Sequence, residues 1–442
     1  MIPLLTLPSD AMRVEALLAR VRLNPADIAL ARGPLAAAAE GVRQILADVA
    51  DRGDAAIVEA SRRFDDPDFT ADQIRVTAAE MGEAAARLPA EQMSAIRRAI
   101  AQVREYQEHI LPASRPPLER ATAEGAPAVT LGLRFTPLDS AGVYFPGGKA
   151  SYPSSLIHLA VPAQVAGVGR IAVCTPPSRF GRSDLVLAAC HELRLTEVFR
   201  AGGAAAVGAL AFGTRTIAAV DKIVGPGNTY VQLAKRLVAG AVGIDGYLGP
   251  SDILVIADDS ARPDFVAADL IAQAEHDPGI CFLLTTSPAV ANAVRDELAR
   301  QTAPRQRRAA IEKALADESA IIVDESMERL IALANRFAPE HVNLQTRDDA
   351  AVLRGLHHAG AVFVGPYSPV AAGDYLAGPS HCLPTNTTAR FSSGISVYEF
   401  LKRGSVVQYT AAGLRADAPA LVALANAEHL DGHAASAEIR AD

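Results

Sequence analysis

Residues 222–228 are Lys222-Ile223-Val224-Gly225-Pro226-Gly227-Asn228, a short apolar run that ends in glycine and proline. Two comparable runs precede it, at 170–174 and 197–199, and a helical segment follows each of the three. Strands that alternate with helices and end in glycine are typical of a parallel sheet, which binds ligands at the carboxyl ends of its strands. The stretch therefore predicts an α/β fold with a ligand site at the carboxyl edge of this sheet.

The same alternation starts again after residue 250. Apolar runs at 252–257, 281–284, 321–323 and 361–364 are separated by segments with helical spacing, and residues 26–110 show that spacing too. We expect four parts: a helical N-terminal element at 1–25, a larger α/β domain at 26–139 and 251–395, an inserted α/β domain at 140–250, and a helical C-terminal element at 396–442.

The composition is that of a folded protein with more than one domain. Half of the 442 residues are hydrophobic and 21% are charged, and a chain of this length exceeds one ordinary core. The 42 Lys and Arg residues against 50 Asp and Glu residues give a formal charge of −8. Because the chain lacks a basic surface, we expect no nucleic-acid partner.

Membrane insertion and secretion are also not expected. The longest charge-free stretch, near 150–169, is interrupted by Pro153 and Pro162, whereas a spanning helix needs about 20 mostly apolar residues. The first residues carry no basic segment and soon reach Asp10, which is unlike a signal peptide. We therefore expect a cytoplasmic location. The four cysteines form no Cys-x-x-Cys pair, so any metal is expected to have nitrogen and oxygen ligands.

Gln273 and His276 form the first candidate site. They lie three residues apart at the end of a predicted helix, so they share one helix face. Their amide oxygen and imidazole nitrogen are donors that suit Zn²⁺. The spacing alone fits equally a polar helix end with a solvated histidine.

Glu340 and His341 form the second candidate site. Pro339 disfavours helix at the residue before it, so the pair stands where a helix gives way to a strand. A carboxylate beside an imidazole offers two proton acceptors with different pKa values. An ion pair at a helix end would have the same sequence.

Two further segments carry an acid and a histidine. Asp374 and His381 lie in a loop rich in glycine and proline, which indicates either a functional loop or a solvated turn. Glu428 and His433 lie in a C-terminal segment that, taken by itself, indicates an exposed helix. The other histidines, including His158, have apolar or helical surroundings and are interpreted as surface or satisfied core residues.

Several of these strings together resemble the histidinol dehydrogenase family, in order, from about residue 30 to the end of the chain. Because several strings match in the same order, chance similarity is not expected. The matching strings are Val224-Gly225-Pro226-Gly227-Asn228-Thr229-Tyr230-Val231, Gln273-Ala274-Glu275-His276, Ala338-Pro339-Glu340-His341, Gly373-Asp374-Tyr375 and His381-Cys382-Leu383-Pro384. The resemblance implies a fold of two incomplete Rossmann-like parallel-sheet domains with small terminal helical elements, in an intertwined homodimer. It also implies NAD-linked oxidation of L-histidinol through L-histidinaldehyde to L-histidine, with one Zn²⁺ per subunit.

The resemblance assigns roles to residues by motif position. Glu340 and His341 match the acid–base pair. The implied zinc ligands are Gln273, His276, Asp374 and, from the partner subunit, His433. These four and His341 also match substrate-contact positions, together with Ser154, Ser251, His381 and Glu428, the last again from the partner. Tyr144 and Asn228 match contacts to the cofactor.

Some positions depart from the family pattern. Ala205 stands where the family usually has a glutamine that contacts NAD, Pro379-Ser380 replaces Thr-Asn before His381, and Asp252 replaces a glutamate after Ser251. These departures leave open a related Zn/NAD dehydrogenase for another alcohol, such as a sulfonated diol. From the site residues alone, a zinc hydrolase with Glu340 as base and a non-catalytic binding protein also remain open.

Overall fold

A computed structural model describes residues 1–22, 24–33, 35–147, 150–246, 251–276 and 279–441. In chain order, its strands are β1 (Leu4–Thr6), β2 (Leu118–Ala121), β3 (Pro127–Pro137), β4 (Ser140–Tyr144), β5 (Arg170–Thr175), β6 (Glu197–Arg200), β7 (Lys222–Val224), β8 (Gly243–Ile244), β9 (Ser251–Ala257), β10 (Gly279–Thr285), β11 (Ala320–Val323), β12 (His341–Gln345), β13 (Ala361–Val364) and β14 (Leu401–Tyr409).

The α-helices between and around these strands are α1 (Ala11–Val21), α2 (Pro25–Leu30), α3 (Leu35–Arg52), α4 (Asp54–Phe64), α5 (Ala78–Arg87), α6 (Ala90–His109), α7 (Pro153–Ala166), α8 (Asp184–Glu192), α9 (Gly203–Phe212), α10 (Thr229–Val238), α11 (Pro263–Ala274), α12 (Pro288–Thr302), α13 (Arg308–Asp317), α14 (Met327–Phe337), α15 (Asp349–Gly355), α16 (Val370–Tyr375), α17 (Ala411–Ala427) and α18 (Asp431–Ala441). Among the described residues, none of the helices combines the length and the apolar character needed to cross a membrane.

The chain divides into two compact units, of which the first comprises residues 1–110 and 139–399. Its described residues form a six-stranded parallel sheet in the order β1-β11-β10-β9-β12-β13. Helices α11, α12 and α13 contribute to the apolar cluster on one face, and α1, α14 and α15 to that on the other. The strands are nearly continuous runs of Val, Ile and Leu because both faces are covered.

The same unit contains a five-stranded parallel sheet in the order β6-β5-β4-β7-β8. Its core cluster includes Val42 and Leu46 of α3 and Ile57 of α4, packed with the Ala-rich helix α9. The charge-free stretch near 150–169 forms α7, which is buried over most of its length. Burial explains why α7 is apolar without being a membrane segment.

The second unit comprises residues 111–138 and 400–442. In its described part, β14, β3 and β2 form an antiparallel sheet in that order. Helices α17 and α18 pack against each other, and Gly413 of α17 lies against the backbone of Ala128.

The parallel α/β fold predicted from the sequence is confirmed, and the strands expected at 170–174, 197–199, 222–224, 252–257, 281–284, 321–323 and 361–364 are present. The structure departs from the predicted domain bounds in several places, and residues 111–138, predicted in the larger domain, fall in the second unit. Residues 1–25 contain β1, which pairs with β11, as well as helices. The sequence predicts helices α3–α6 in the domain of the larger sheet. They instead pack against α7–α10, the helices of the five-stranded sheet. Residues 396–442 begin with the nine-residue strand β14 before the helices.

Physical reasons account for these differences. An amphipathic helix presents an apolar face, but its sequence does not specify which of two sheets that face meets. Strand β14 is exposed along most of its length, so it lacks the apolar run that marks a buried strand. Its partner β3 lies far away in the sequence, and local patterns carry no signal for such a pairing.

Candidate active site

The Glu340–His341 pair lies at the amino edge of the six-stranded sheet. Strands β9 and β12 are parallel neighbours, with His341 paired to Ile253. Ser251 begins β9 and Glu340 comes directly before β12, so the two side chains emerge at the same edge. This is the edge opposite to the one at which ligands usually bind in open α/β sheets.

Glu340 is 5% exposed and is held by two donors. Its Oε2 atom accepts hydrogen bonds from the Ser251 hydroxyl and from the backbone N–H of Asp252, the latter at 3.1 Å. Burial and, to a smaller extent, the nearby charge of Asp374 raise the pKa of the Glu340 carboxyl to about 8, although the two hydrogen bonds act to lower it. Glu340 therefore holds or releases a proton near neutral pH.

Within the described part of the chain, one ring nitrogen of His341 is hydrogen-bonded and the other is not. Its Nδ1 atom lies 3.0 Å from the carbonyl oxygen of Asp252. Because a carbonyl only accepts, Nδ1 carries the proton in this contact, and the neutral ring keeps its lone pair on Nε2. Nε2 is buried without a hydrogen-bond partner among the described residues and lies 4.0 Å from Oδ1 of Asp374. This nitrogen is ready to accept a proton from a bound molecule.

Asp374 and His381 adjoin the pair. Asp374 lies in the short helix α16, and its backbone carbonyl accepts a hydrogen bond from Nδ1 of His381 at 2.7 Å. The Nε2 atom of His381 then accepts from the Ser155 hydroxyl, at 2.9 Å. The His158 ring packs behind it, with 4.7 Å between ring centroids. Both nitrogens of His381 are thereby oriented by neighbours.

Gln273 and His276 come from the end of α11. Gln273 is 2% exposed, and its Nε2 has no hydrogen-bond partner in the described part of the chain. The chain turns back tightly after them, since a Cβ added at Gly279 would lie 2.0 Å from the Gln273 carbonyl oxygen. Although His276 as a residue is exposed, desolvation lowers the pKa of its imidazole, while Asp374 raises it and His341 lowers it. His276 therefore lies close enough to Asp374 and His341 for their charges to act on its imidazole.

Tyr144 and Asn228 lie at the carboxyl edge of the five-stranded sheet. The Tyr144 hydroxyl accepts a hydrogen bond from the Gly203 N–H at the start of α9. Asn228 caps α10 by accepting from the N–H groups of residues 230 and 231. Gly225 has φ +123°, and a Cβ there would lie 1.8 Å from the Tyr144 carbonyl oxygen, so this turn requires glycine.

The second unit holds Glu428 and His433 in one groove. Glu428 ends α17, and His433 lies in α18. The groove has a volume of about 400 Å³ and is lined by both residues together with Leu421, Leu424 and Leu430. The two polar side chains therefore project into one apolar concave surface.

Comparisons with known proteins show which family this chain resembles. The family model for histidinol dehydrogenase matches residues 32–441. The chain is 46% identical over 401 residues to a histidinol dehydrogenase from Synechococcus sp., covering 90% of this chain and 91% of the relative. It is 47% identical over 410 residues to one from Gluconobacter oxydans, covering 91% and 92%. The crystal structure of a histidinol dehydrogenase from Elizabethkingia anophelis matches with a TM-score of 0.90 at 32% identity, covering 99% of this chain and 98% of that one.

The chain belongs to the histidinol dehydrogenase family. It is therefore an oxidoreductase, and the zinc hydrolase and non-catalytic alternatives are not favoured.

Most of the residues expected from the histidinol dehydrogenase resemblance are grouped in the structure. Those that lie at or beside the Glu340–His341 pair are Ser251, His276, Asp374 and His381, and Gln273 lies at the end of the helix that leads to His276. In the described part of the chain, it is Ser155, adjacent to the expected Ser154, that bonds to His381. Tyr144 and Asn228 lie on the other sheet, and Ala205 is buried in the core around α9.

Three residues of this histidinol dehydrogenase family member were missed by the sequence reasoning. The sequence predicts His158 as a surface or core residue; it is a fully buried core residue whose ring packs against His381. Ser155 was passed over for Ser154. Asp252 was noted only as a departure from the family, although it contacts both Glu340 and His341. The sequence does mark Asp252, because its carboxylate directly precedes the wholly apolar run from Ile253 to Ala257.

Proposed function

We propose that this protein oxidises L-histidinol to L-histidinaldehyde and then to L-histidine, with two NAD⁺ and one Zn²⁺ per subunit. The observation that carries the proposal is the pair of buried proton acceptors at the amino edge, Nε2 of His341 and the carboxylate of Glu340. Two successive oxidations each release a proton from the reacting oxygen, and two adjacent acceptors suit that requirement.

The first oxidation is assigned to His341. The alcohol loses its hydroxyl proton to Nε2 while the carbon-bound hydrogen leaves as hydride for NAD⁺. The contact from Nδ1 to the Asp252 carbonyl keeps the lone pair on Nε2. A neutral imidazole accepts such a proton and can return it.

The second oxidation is assigned to Glu340. A water molecule must lose a proton as its oxygen attacks the aldehyde carbon, and the ionised Glu340 carboxylate accepts that proton. The hydrated aldehyde then loses hydride to the second NAD⁺, and L-histidine forms. A carboxyl with a pKa of about 8 is partly ionised near neutral pH and is a stronger base than an ordinary carboxylate.

A zinc site is proposed at Gln273, His276 and Asp374. These donors fit Zn²⁺ in chemistry, because an amide oxygen, an imidazole nitrogen and a carboxylate oxygen are ligands of the kind that it takes. When bound, zinc would serve as a template that anchors the imidazole and amine of the substrate. Ser154, Ser251 and His381 are proposed as further substrate contacts.

We propose that the site is completed by a second subunit. In the described residues, no group of three or more His, Cys, Asp or Glu side chains is arranged to hold a metal ion. A further ligand from another chain would meet this need, and the partner's His433 is proposed for it, with the partner's Glu428 as a substrate contact. Both residues share one groove in each chain.

NAD is proposed to bind at the carboxyl edge of the five-stranded sheet, near Tyr144 and Asn228. Parallel sheets bind dinucleotides at this edge, where helix N-termini such as those of α9 and α10 begin. Bound NAD supplies the hydride acceptor. Ala205 is buried and offers no polar group, so cofactor contacts here are expected to come from the other residues of this edge.

The test is the stoichiometry of the reaction. Zinc-loaded protein with NAD⁺ and L-histidinol is followed by NADH absorbance, and the product is identified by chromatography. We expect two NADH for each L-histidine formed, with loss of activity after chelation and recovery on adding zinc. Turnover of another alcohol with L-histidinol inert would contradict the proposal.

A further inference from the structure

Asp252 is a buried carboxylate that contacts both members of the acid–base pair. It is 2% exposed and is the second residue of β9, whose other residues from 253 to 257 are apolar and fully buried. Burying a carboxyl group costs free energy unless it is hydrogen-bonded. An acid at the start of such a strand therefore needs a reason.

The contacts supply that reason. The Oδ1 atom of Asp252 accepts a hydrogen bond from the backbone N–H of Glu340 at 2.8 Å. The backbone N–H of Asp252 donates to Oε2 of Glu340 at 3.1 Å, and its carbonyl accepts from Nδ1 of His341 at 3.0 Å. One residue thus fixes the backbone and the carboxylate of Glu340 and the ring of His341.

We propose that Asp252 is a positioning residue whose side chain serves the aldehyde oxidation selectively, while its backbone serves both oxidations. The inference rests on the proposed function. The hydrogen bond to His341 comes from the backbone and survives a change of side chain. The hydrogen bond to the backbone N–H of Glu340 comes from the side chain and does not survive, so Glu340 loses a backbone anchor while His341 keeps its contact.

The charges around Asp252 also link its side chain to Glu340. Burial and the neighbouring Glu340 carboxylate raise the pKa of Asp252 to about 7, whereas the Glu340 N–H, His341 and the backbone of Asn386 lower it. The two carboxyl groups compete for ionisation because like charges at short range cannot easily coexist. A change at Asp252 therefore acts on the protonation of Glu340 as well as on its position.

The experiment measures the two oxidations separately in Asp252 variants, with either L-histidinol or L-histidinaldehyde as the starting substrate. In Asp252→Ala we expect kcat/KM for the aldehyde to fall by between about tenfold and a hundredfold, the effect of misplacing a catalytic group. We expect oxidation of the alcohol to stay near the wild-type rate. Asp252→Asn, which keeps an oxygen acceptor for the Glu340 N–H, should lose less, and its aldehyde pH profile should shift.

A matched control comes from the other edge of the same sheet. Asp324 is also 2% exposed, follows β11 and pairs with Arg329, away from the acid–base pair. Asp324→Asn should leave the ratio of the two rates unchanged. Thermal unfolding and zinc content, measured on each variant, report whether it folds.

Each outcome decides the proposal. A selective loss of aldehyde oxidation in both Asp252 variants supports it. An equal loss of both oxidations, or no loss in either folded variant, overturns it. If the wild-type protein oxidises neither substrate, the proposed function itself fails, and that result is distinguishable because it appears before any substitution is made. Should Asp252→Ala fail to fold, Asp252→Asn decides the question by the same ratio.

Discussion

Nδ1 of His341 lies 3.0 Å from the carbonyl oxygen of Asp252, and this contact leaves Nε2 of His341 buried and without a partner in the described chain. A backbone contact thereby selects the tautomer of the His341 imidazole. The carboxylate of Glu340 is fixed from the same residue, through the Asp252 N–H. The site therefore presents two proton acceptors that are both held by the backbone of Asp252, at the start of β9.

The first prediction concerns pH. Glu340 must be ionised to accept a proton, and its pKa is raised to about 8 by burial. The rate of L-histidinaldehyde oxidation should therefore rise with pH, close to tenfold per unit well below about pH 8, and level off above it. Stopped-flow measurement of NADH formation from the aldehyde checks this, with Glu340→Gln as the variant that should lose the rise. A rate that falls as pH increases towards 8 would count against Glu340 as the base.

The second prediction concerns the shared site. Chains carrying both Glu340→Gln and His341→Asn are mixed with His433→Asn chains under conditions that exchange subunits. Each single population should be nearly inactive, and heterodimers should regain up to half of the wild-type activity, because one of their two sites has every residue. Activity is measured on heterodimers purified through two different tags. The absence of recovery in such heterodimers would show that His433 acts within its own chain.

The third prediction concerns stability. Lys235 and Asp245 form an ion pair with both side chains fully buried, and the pair also bonds to the backbone of Gly225. Lys235→Met leaves the Asp245 charge buried without its partner and should lower the free energy of unfolding by about 3–5 kcal/mol. Urea unfolding followed by circular dichroism measures the change.

The control for that prediction is an exposed pair. Arg308 and Glu312 are more than half exposed, one helical turn apart, and Arg308→Ala should cost no more than about 0.5 kcal/mol. If Lys235→Met cost as little as Arg308→Ala, the buried pair would not be what holds the Gly225 turn in place.

Much of the fold followed from local sequence patterns. The strands at 170–174, 222–224 and 252–257 are short apolar runs bounded by glycine or polar residues, and they could be recognised because both faces of a parallel sheet are covered. The pairing of β1 with β11 and of β14 with β3 could not, since each joins segments far apart in the chain. Neither is marked by a pattern of period two or 3.6.

The site followed from the sequence less completely, and for a different reason. Gln273 and Glu340 stand out because polar groups occur there at element ends, and Asp374 because it shares a loop rich in glycine and proline with His381. The sequence does not predict the position of the site at the amino edge of its sheet, because the strand-end glycines indicate a site at the carboxyl edge of the other sheet. Ser155 and His158 were missed because α7 is apolar on every side, and a polar residue in such a helix has no face that marks it.

The most direct test of the division of labour between His341 and Glu340 is a single-turnover experiment with Glu340→Gln. Zinc-loaded variant in excess is mixed with L-histidinol and NAD⁺, and NADH and the bound product are measured together. The account predicts one NADH per substrate at close to the wild-type rate, followed by accumulation of L-histidinaldehyde. Formation of two NADH with L-histidine at the wild-type rate, or the loss of the first NADH in a zinc-loaded variant, would contradict it.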